Sequence, residues 1–551
     1  EKVFALDDGR RTPAVELNDG LDYVPAGTAM LLPQHFSAIA AAGPINGPII
    51  AGLMFGWAPA LLWIILGSIF IGGLHDMGSL VASVRHGARS ITDVIRANVS
   101  RRAWLLFMVF IWITLVYIIV AFTDLTAGSF VGMVTLENGD KVGGGGIAAS
   151  SLMYLAIPVL MGLSIKFFGL REKWALLIFL PLVGAAIWAG PYMPVNLPAW
   201  LAPTPAAAIR LWSVLILVYC VIASVIPVWA LLQPRGALGG YFLYAALLAA
   251  AIGVVFGGYK IEYPAFINLS ADGAGSGFWF PMFPLLFITI ACGACSGFHS
   301  LVSSGTTSKQ LEKESDARPV SYGGMLLEGL VAVVSLATVM ILSRDNPLTA
   351  RAPNFIYASG IGRFLELIGI PASFGVAFGL MAFTTFVYDT LDVCVRLGRY
   401  IFEELTGMRN WTGHILGTLL TAGAPLFFIF QTLTDAKGNP IPAWKTFWST
   451  FGASNQLLAA LALIGVTVWL LNTAKNGKVW IAAFIPAVLM FVMSNWALTQ
   501  SIYDKWVLGK AGIHAAVPYV HLVLVILSVL VAIETVIAVS GKKSRSGSAS
   551  A

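Results

Sequence analysis

The chain has 551 residues, of which 58% are apolar types (AVILMFWYC) and only 11% are charged (DEKR). A soluble domain carries about 25% charged residues, so the composition excludes a soluble multidomain protein. The net charge of +6 would fit nucleic-acid binding, but it fits equally well a membrane protein whose loops are rich in Lys and Arg. We therefore predict an integral membrane protein.

Apolar stretches long enough to cross a membrane recur along the whole chain. A spanning helix needs about 20 apolar residues, and we predict fourteen spans, at 37–57, 58–84, 103–125, 145–165, 173–190, 209–231, 237–258, 281–304, 322–343, 371–395, 411–431, 446–471, 479–500 and 517–540. The predicted fold class is an all-α, polytopic membrane protein.

The same pattern predicts three regions. Residues 1–36 form a cytoplasmic N-terminal segment, 37–540 a single transmembrane domain, and 541–551 a cytoplasmic tail or an artificial extension. The chain begins with Glu1 instead of Met, so we expect a processed or trimmed N-terminus.

The basic residues predict the orientation of the spans. When the connecting segments are assigned alternately to the two sides, 23 Lys and Arg residues fall on one side and 10 on the other. Arg235, Arg396 and Arg399 are counted on the richer side. By the positive-inside rule that side is cytoplasmic, which places both termini inside. The positive charge is thereby assigned to topology, and nucleic acid is not an expected partner.

The four cysteines all lie in apolar runs and do not form a disulfide framework. Cys292 and Cys295 are spaced as in redox or metal motifs. Because no second cysteine pair accompanies them, we interpret them as packing residues.

Two apolar segments contain residues that interrupt helices. Residues 37–52 include the pairs Gly43-Pro44 and Gly47-Pro48, and residues 288–307 include Gly293, Gly297 and several hydroxyl side chains. Interrupted backbone at membrane depth is tolerated where it lines a cavity, and paired broken helices of opposite direction mark transporter binding sites. The alternative is that these glycines only allow close helix packing.

Free amides at half-helix ends suit a carboxylate, so we predict substrate contacts in both broken segments and in a polar stretch of a later helix. The candidate residues are Gly43, Pro44, Asn46, Gly47, Gly293, Ser296, Gly297, Ser303 and Asn455. For Asn455 and its neighbour Gln456, interhelical hydrogen bonds alone are the alternative.

Ionisable residues inside spans are costly and are therefore functional candidates. We predict that the coupling proton is carried by His35, His75, Asp76, His299, Asp389 and Asp392. A structural ion pair between Asp392 and Arg396, four residues apart, is the alternative for that aspartate. Glu328 lies early in its span, and the alternative for it is a residue at the cytoplasmic edge that pairs with Arg318.

The sequence offers little support for a cofactor, a metal or a nucleotide. The histidines lack the i, i+3 or i, i+4 spacing of metal ligands, so no metal site is predicted. Residues 304–309 superficially resemble a phosphate-binding loop but lack its glycine and lysine spacing. An ion gradient is thus the expected energy source, without a cofactor.

Several long motifs resemble those of the carbon starvation protein family, CstA. They are Asn18-Asp-Gly-Leu-Asp-Tyr-Val-Pro25, His35-Phe-Ser-Ala-Ile-Ala, Ala42-Gly-Pro-Ile-Asn-Gly-Pro48, residues 287–307 and Tyr322-Gly-Gly-Met-Leu-Leu-Glu328. The resemblance covers nearly the whole chain. In one departure, Gln34 precedes His35 where the family usually has a second histidine.

The resemblance implies a bacterial cytoplasmic-membrane protein similar to the amino acid–polyamine–organocation superfamily, with inverted repeats and discontinuous helices. It also implies nutrient uptake during carbon starvation, with short peptides or pyruvate as substrates and protons as the coupling ion. We predict a secondary transporter for such a carboxylate. The alternatives are a membrane-embedded sensor that binds without transport and, less compatible with the sequence, a membrane enzyme.

Overall fold

A computed structural model describes residues 4–135, 139, 141–267, 282–431, 441–473, 477–507 and 516–548. The helices of the N-terminal third are α1 (Pro13–Glu16), α2 (Thr28–Ile39), α3 (Gly43–Phe55), α4 (Trp57–Leu66), α5 (Gly73–Arg85), α6 (Ile91–Asn98), α7 (Arg101–Val131), α8 (Gly144–Phe168) and α9 (Glu172–Ala189). A π-helical segment, Gly67–Gly72, joins α4 to α5, so that they form one span, Trp57–Arg85.

The helices of the remaining chain are α10 (Pro205–Val225), α11 (Leu232–Phe256), α12 (Leu285–Thr289), α13 (Gly297–Val302), α14 (Gly324–Met340), α15 (Pro353–Glu366), α16 (Ala372–Thr406), α17 (Trp411–Phe430), α18 (Ala443–Thr473), α19 (Ile481–Ile502) and α20 (Ala516–Ser548). Further π-helical turns follow α13 (Ser303–Thr307), precede α14 (Arg318–Gly323) and follow α19 (Tyr503–Val507). Short 3₁₀ turns lie at Gly190–Tyr192, Glu314–Asp316 and Pro347–Ala350.

The predicted helical membrane fold is confirmed, but the count of fourteen spans is not. Among the described residues, twelve helices are long and apolar enough to cross a membrane, and the bent pair α2 and α3 raises the number to thirteen. The predicted span 281–304 is instead divided between the short helices α12 and α13, and its first residue, 281, lies outside the described residues.

Other differences concern element bounds. The first broken span begins at Thr28, nine residues before the predicted start, and α11 begins at Leu232 instead of residue 237. The predicted connection between the spans 322–343 and 371–395 contains helix α15. Strands β1 (Met133–Thr135) and β2 (Lys141–Gly143) form an antiparallel hairpin, with Val134 opposite Val142, which an all-α prediction did not include.

Apolar patterning determines which helices lie inside the bundle. In the most apolar window of α16, 89% of the residues are buried, compared with 17% in α20. α16 also carries polar residues along its length, and a helix with polar residues in a bilayer is stable only where other helices surround it. The broken segments pack beside α14, α16 and α18, so the interrupted backbone lies within protein.

Candidate functional site

The two broken segments pack against each other in opposite directions. A Cβ atom added to Gly43 would overlap Cys292 Sγ, and one added to Gly47 would lie 2.5 Å from the Thr289 carbonyl oxygen. As the residue number increases along the first segment, the number of the residue that it contacts in the second segment decreases. This confirms the predicted antiparallel arrangement, and it shows that these glycines are needed for close packing whatever else they do.

Asn455 of α18 caps the second broken segment. Its Oδ1 atom accepts a hydrogen bond from the Phe298 amide (2.8 Å), and its Nδ2 atom lies 3.0 Å from Ser296 Oγ and 3.3 Å from Cys292 Sγ. The first turn of α13 thus has an amide that is already paired inside the protein. The predicted substrate contact at this helix end would have to displace Asn455 or use neighbouring amides.

The other predicted substrate residues are buried. Pro44 begins α3 beside Gly43, and an added Cβ at Gly293 would lie 2.6 Å from Ala332 Cβ, while one at Gly297 would overlap backbone atoms of Asn455 and Ala459. Within the described structure, both polar atoms of the Asn46 side chain and the Ser303 hydroxyl are buried without a hydrogen-bond partner. Such groups are rare in folded proteins, which makes Asn46 and Ser303 candidates for contact with a ligand.

Three of the predicted proton-carrying residues, His75, Asp76 and His299, meet Glu328 in a group that we call the histidine cluster. Asp76 Oδ1 lies 2.7 Å from His75 Nδ1, and Asp76 Oδ2 lies 2.8 Å from His299 Nδ1. All four side chains are fully buried. The cluster joins α5, the half-helix α13 and α14.

Glu328 completes the cluster from α14. Its Oε2 atom lies 2.8 Å from His299 Nε2, an ion-pair distance, although the angle is not that of a well-formed hydrogen bond. The interpretation of Glu328 as an edge residue pairing with Arg318 is therefore wrong. Because both ring nitrogens of His299 face carboxylates, both contacts can be hydrogen bonds only when the ring carries two protons or one of the two carboxylates carries one.

His35 lies apart from the histidine cluster, in α2. Its Nδ1 atom is 2.8 Å from Thr307 Oγ1, and its Nε2 atom has no partner in the described part of the chain. His35 thus connects α2, the first half of the first broken segment, to the π-helical turn that follows α13.

Asp389 and Asp392 belong to a second group, the arginine cluster, with Arg235 between them. Arg235 lies 2.6 Å from Asp389 Oδ1 and 2.7 Å from Asp392 Oδ2, and its side chain is fully buried. The Tyr219 hydroxyl accepts a hydrogen bond from Arg235, and the Ser37 hydroxyl donates one to Asp389. Five of the six predicted proton-carrying residues thus divide between two clusters, and His35 belongs to neither.

The contacts and positions of three basic residues differ from those expected from the sequence. Asp392 pairs with Arg235 and not with Arg396, which instead binds Asp22 (3.0 Å) and the carbonyl oxygens of Ala223 and Ile226. Arg235, Arg396 and Arg399, counted as loop residues, lie in α11 and α16 and are buried. Removing these three from the richer side leaves its excess of positive charge, so the predicted orientation does not depend on them.

The sequence reasoning missed Arg235 and underrated Glu328 because both lie close to the predicted ends of their spans. An end residue was interpreted as facing water. The signal that could have found Arg235 is the pair Asp389 and Asp392, because two carboxylates three residues apart within a span require a nearby cation. Arg235 lies in the first turn of α11.

Cys292 and Cys295 are free and buried, consistent with their interpretation as packing residues. Among the described residues, no group of three or more His, Cys, Asp or Glu side chains is arranged to hold a metal ion.

The space between the broken segments is closed in this structure. A cavity of about 10 Å³ lies between α2, α11, α16 and the turn after α13, enough for about one water molecule. A larger cavity of about 580 Å³, lined by Lys141, Asn196 and Trp212 among others, lies by the β-hairpin. The topology prediction places that cavity on the external side.

Comparisons with known proteins agree with this architecture. The sequence matches the model of the family described as "Carbon starvation protein CstA" over residues 1–354 and 345–497. It is 32% identical to a Helicobacter pylori protein named peptide transporter CstA, covering 92% of this chain and 79% of that protein. It is 28% identical to Escherichia coli pyruvate/proton symporter BtsT, covering 92% and 78%.

A solved structure, the Eremococcus coleocola manganese transporter in complex with an aromatic bis-isothiourea substituted compound, aligns with a TM-score of 0.52 at 13% identity, covering 94% of this chain and 99% of that one. At that identity the likeness concerns the fold alone. Relatives with transporter names over most of the chain, together with the apolar helices, make this protein a bacterial multi-pass membrane transporter and not an enzyme. The chain belongs to the carbon starvation protein CstA family.

Proposed function

We propose that this transporter takes up a small carboxylate-bearing nutrient, either a short peptide or pyruvate, together with protons. Relatives are named for peptide transport and for pyruvate/proton symport, and both kinds of substrate carry a carboxylate. The observation that carries the proposal is the histidine cluster, because it places His299 of a broken helix between Asp76 and Glu328 of two neighbouring helices.

The cluster couples protonation to helix position. Two carboxylates share His299, and a proton added to or removed from this group changes the strength of both contacts. Because α13 is short and its neighbours α5 and α14 are spans, a change in these contacts favours movement of the half-helix relative to the longer helices. Alternating access requires movement of this kind around a central site.

The substrate carboxylate would contact the broken segments. Burying a polar group without a hydrogen-bond partner costs about 1–3 kcal/mol. In the described structure the Asn46 side chain and the Ser303 hydroxyl are buried without such a partner. A bound carboxylate or peptide amide would supply their missing partners. Gly43 and Gly47 allow the backbone to approach at the same place.

The energy source in this proposal is the proton gradient, without a cofactor. The protein would act in the cytoplasmic membrane with both termini inside, and uptake during carbon starvation would be its physiological role. The excess of Lys and Arg on the predicted inner side supports this orientation.

Transport by purified protein in proteoliposomes tests the proposal. With an inward-directed proton gradient, labelled pyruvate or dialanine should accumulate, and a protonophore should abolish the accumulation. The variants His299→Ala and Asp76→Asn should lose accumulation, because each removes a central contact of the histidine cluster. The matched control is His521→Ala, a buried histidine that contacts Thr450 (2.8 Å) in another part of the bundle.

Absence of gradient-dependent uptake of both substrates would overturn the proposal. Normal accumulation by both His299→Ala and Asp76→Asn would leave transport intact and remove the histidine cluster from the mechanism. Binding of either substrate without any flux would instead support the sensor alternative.

A further inference from the structure

The small cavity beside His35 lies between elements that must separate when a transporter opens. It is lined by α2 (Gln34, His35), α11 (Gly236), α16 (Asp389) and the turn after α13 (Thr306). Two of these elements are halves of the broken segments. Since α2 is the first half of a segment predicted to run outward, the cavity lies on the predicted cytoplasmic side of the breaks and marks a closed path to that side.

Asp389 of the arginine cluster lines this path, and the cluster carries unbalanced charge. Arg235 contributes one positive charge against the two carboxylates of Asp389 and Asp392. The nearby Arg396 is already held by Asp22 and by two carbonyl oxygens. A buried excess of one negative charge is costly, and a proton on one carboxylate removes it.

Two polar atoms next to the cluster have no partner in the described structure. Gln34 Oε1 and His35 Nε2 are buried, in side chains of residues that are 5% and 1% exposed, and both residues line the cavity with Asp389. Buried polar atoms are normally paired. Unpaired groups beside an arginine indicate a place built for a polar ligand that is larger than the present cavity.

The arginine cluster is also attached to α2, the first half of the first broken segment. The Ser37 hydroxyl donates to Asp389, and the Thr390 hydroxyl donates to the Ala38 carbonyl oxygen (2.9 Å). A Cβ atom at Gly240 would overlap the Pro33 carbonyl, so α11 lies directly against α2. Release of Asp389 from its partners would therefore loosen α2 from α11 and α16.

We propose that Arg235 binds the substrate carboxylate on the way to the cytoplasm, in exchange for Asp389. Asp389 takes up one proton and becomes a neutral acid, and its ion pair with Arg235 is replaced by one between Arg235 and the substrate. When the substrate leaves as its carboxylate, Asp389 gives its proton to the cytoplasmic solution and pairs with Arg235 again. This inference rests on the proposed function and assigns a substrate site to a residue outside the helix breaks.

Further ionisable side chains surround the arginine cluster. The titratable or charged side chains that face the cluster are Tyr154 of α8, Tyr219 and Cys220 of α10, His35 of α2, and Tyr388, Asp392, Cys394 and Arg396 of α16 itself. Asp389 is distinguished from Asp392 by lining the cavity and by its contact with Ser37.

Binding of pyruvate and dialanine to the purified full chain tests this exchange, with methyl pyruvate and dialanine amide as uncharged analogues. In the wild type, affinity for the carboxylate should rise as the pH falls from about 8 to about 5. Asp389→Asn should bind at least as tightly at every pH, since the amide mimics the protonated acid. Arg235→Gln should lose about tenfold or more in affinity, the value of a charge-assisted hydrogen bond, whereas Arg235→Lys should retain part of it.

The control is Arg102→Gln, whose side chain is 85% exposed and which should bind like the wild type. If Arg235→Gln does not fold, the Asp389→Asn pH profile alone decides the question. Unchanged pH dependence in Asp389→Asn, or equal binding of the carboxylates and their uncharged analogues, would overturn the exchange. If wild-type proteoliposomes accumulate substrate under a proton gradient while these variants bind like the wild type, only this inference fails. Absence of uptake by the wild type overturns the proposed function together with it.

Discussion

At the scale of single residues, buried polar side chains in this protein divide into those with a full set of partners and those without. Asn455 belongs to the first kind, because its amide group contacts a backbone amide, a hydroxyl and a thiol at the start of α13. Asn46 belongs to the second, with neither polar atom paired in the described structure. We infer that Asn455 holds the broken helix together and that Asn46 is free to meet a ligand.

The first prediction follows for Asn455. Asn455→Ala should lower the free energy of unfolding by about 1–3 kcal/mol, since it leaves the Phe298 amide and Ser296 buried without this partner. The melting temperature of the purified protein measures the loss. Asn472→Ala, the same change at an exposed position of the same helix, should have little effect. Equal melting temperatures for the two variants would show that Asn455 does not stabilise the break.

At the scale of elements, the two breaks are shaped by contact as much as by the prolines. Pro44 stands in the first turn of α3, where its missing amide costs nothing, and Pro48 lies one turn later inside the helix. The glycines that precede the prolines face the second broken segment. The breaks are therefore kept in register by close approach of two backbones, and a single added methyl group tests each contact.

Substitution of these glycines gives the second prediction. Gly43→Ala should destabilise the protein and lower uptake, because the new methyl group overlaps the side chain of Cys292. The double variant Gly43→Ala with Cys292→Gly should recover stability, since it removes both overlapping atoms. Gly47→Ala meets the Thr289 carbonyl at 2.5 Å, and the Cys292 change should not rescue it.

Gly184→Ala in α9 serves as the control, since a Cβ there meets no atom within 4 Å. Thermal melting and uptake are compared for all the variants. Failure of Cys292→Gly to improve Gly43→Ala would mean that the strain lies elsewhere than in the contact between the two segments.

The elements that the sequence predicts well are the ones with long apolar runs, such as α7 and α18, because lipid requires such runs. The breaks were also predictable, the first from Gly43-Pro44, which stands at the start of α3, and the second from Gly293 and Gly297. Gly47-Pro48 lies inside α3 and does not interrupt it. The hairpin β1–β2 and helix α15 were not predicted, because they lie in polar connections where tertiary contacts decide the structure.

The candidate site was predictable in its residue types but not in its pairing. Asp76 and His299 are 223 positions apart, and nothing in the sequence alone brings them together. Arg235 was assigned to a loop because it lies just before the predicted start of its span at residue 237, whereas α11 begins at Leu232. Three-dimensional packing, and not composition, determines which carboxylate receives which cation.

At the scale of the whole molecule, the N-terminal segment, residues 4–27, fastens the predicted cytoplasmic face. The Val24 and Ala26 amides donate to the carbonyl oxygens of Lys309 and Gln310 (3.2 and 2.9 Å), just after the second broken segment. Glu314 in the same connection lies 3.2 Å from Arg10 and 3.1 Å from Arg85. The segment thus joins the first broken span to the end of the second.

Asp22 extends this fastening to α16. It lies 3.0 Å from Arg396 and 3.3 Å from Arg399, and it accepts a hydrogen bond from the Tyr400 hydroxyl (2.7 Å). Lys309 lies 3.5 Å from the centre of the Tyr400 ring. Burial acts to raise the pKa of Asp22, but the cations Lys309, Arg396 and Arg399 outweigh it and hold that pKa well below its ordinary value.

The last prediction concerns opening toward the cytoplasm. Asp22→Asn should weaken the closed arrangement by about 2–4 kcal/mol, since it leaves buried arginines without their carboxylate. The pKa of Asp22 is lower in the folded protein than in the unfolded chain, where it is about 3.9. The ion pairs of Asp22 therefore stabilise the closed form fully at any pH above that unfolded pKa, and they are lost only as the pH falls through the lowered pKa. The effect of Asp22→Asn should therefore be constant between about pH 5 and pH 8.

Maleimide modification of Cys394, buried in α16 between Asp392 and Arg396, should be faster in Asp22→Asn than in the wild type. Asp93→Asn, which removes a carboxylate from the pair with the exposed Arg89 (3.4 Å), should leave the rate unchanged. Equal rates in the two variants, or acceleration only at acidic pH, would show that Asp22 does not hold this face closed.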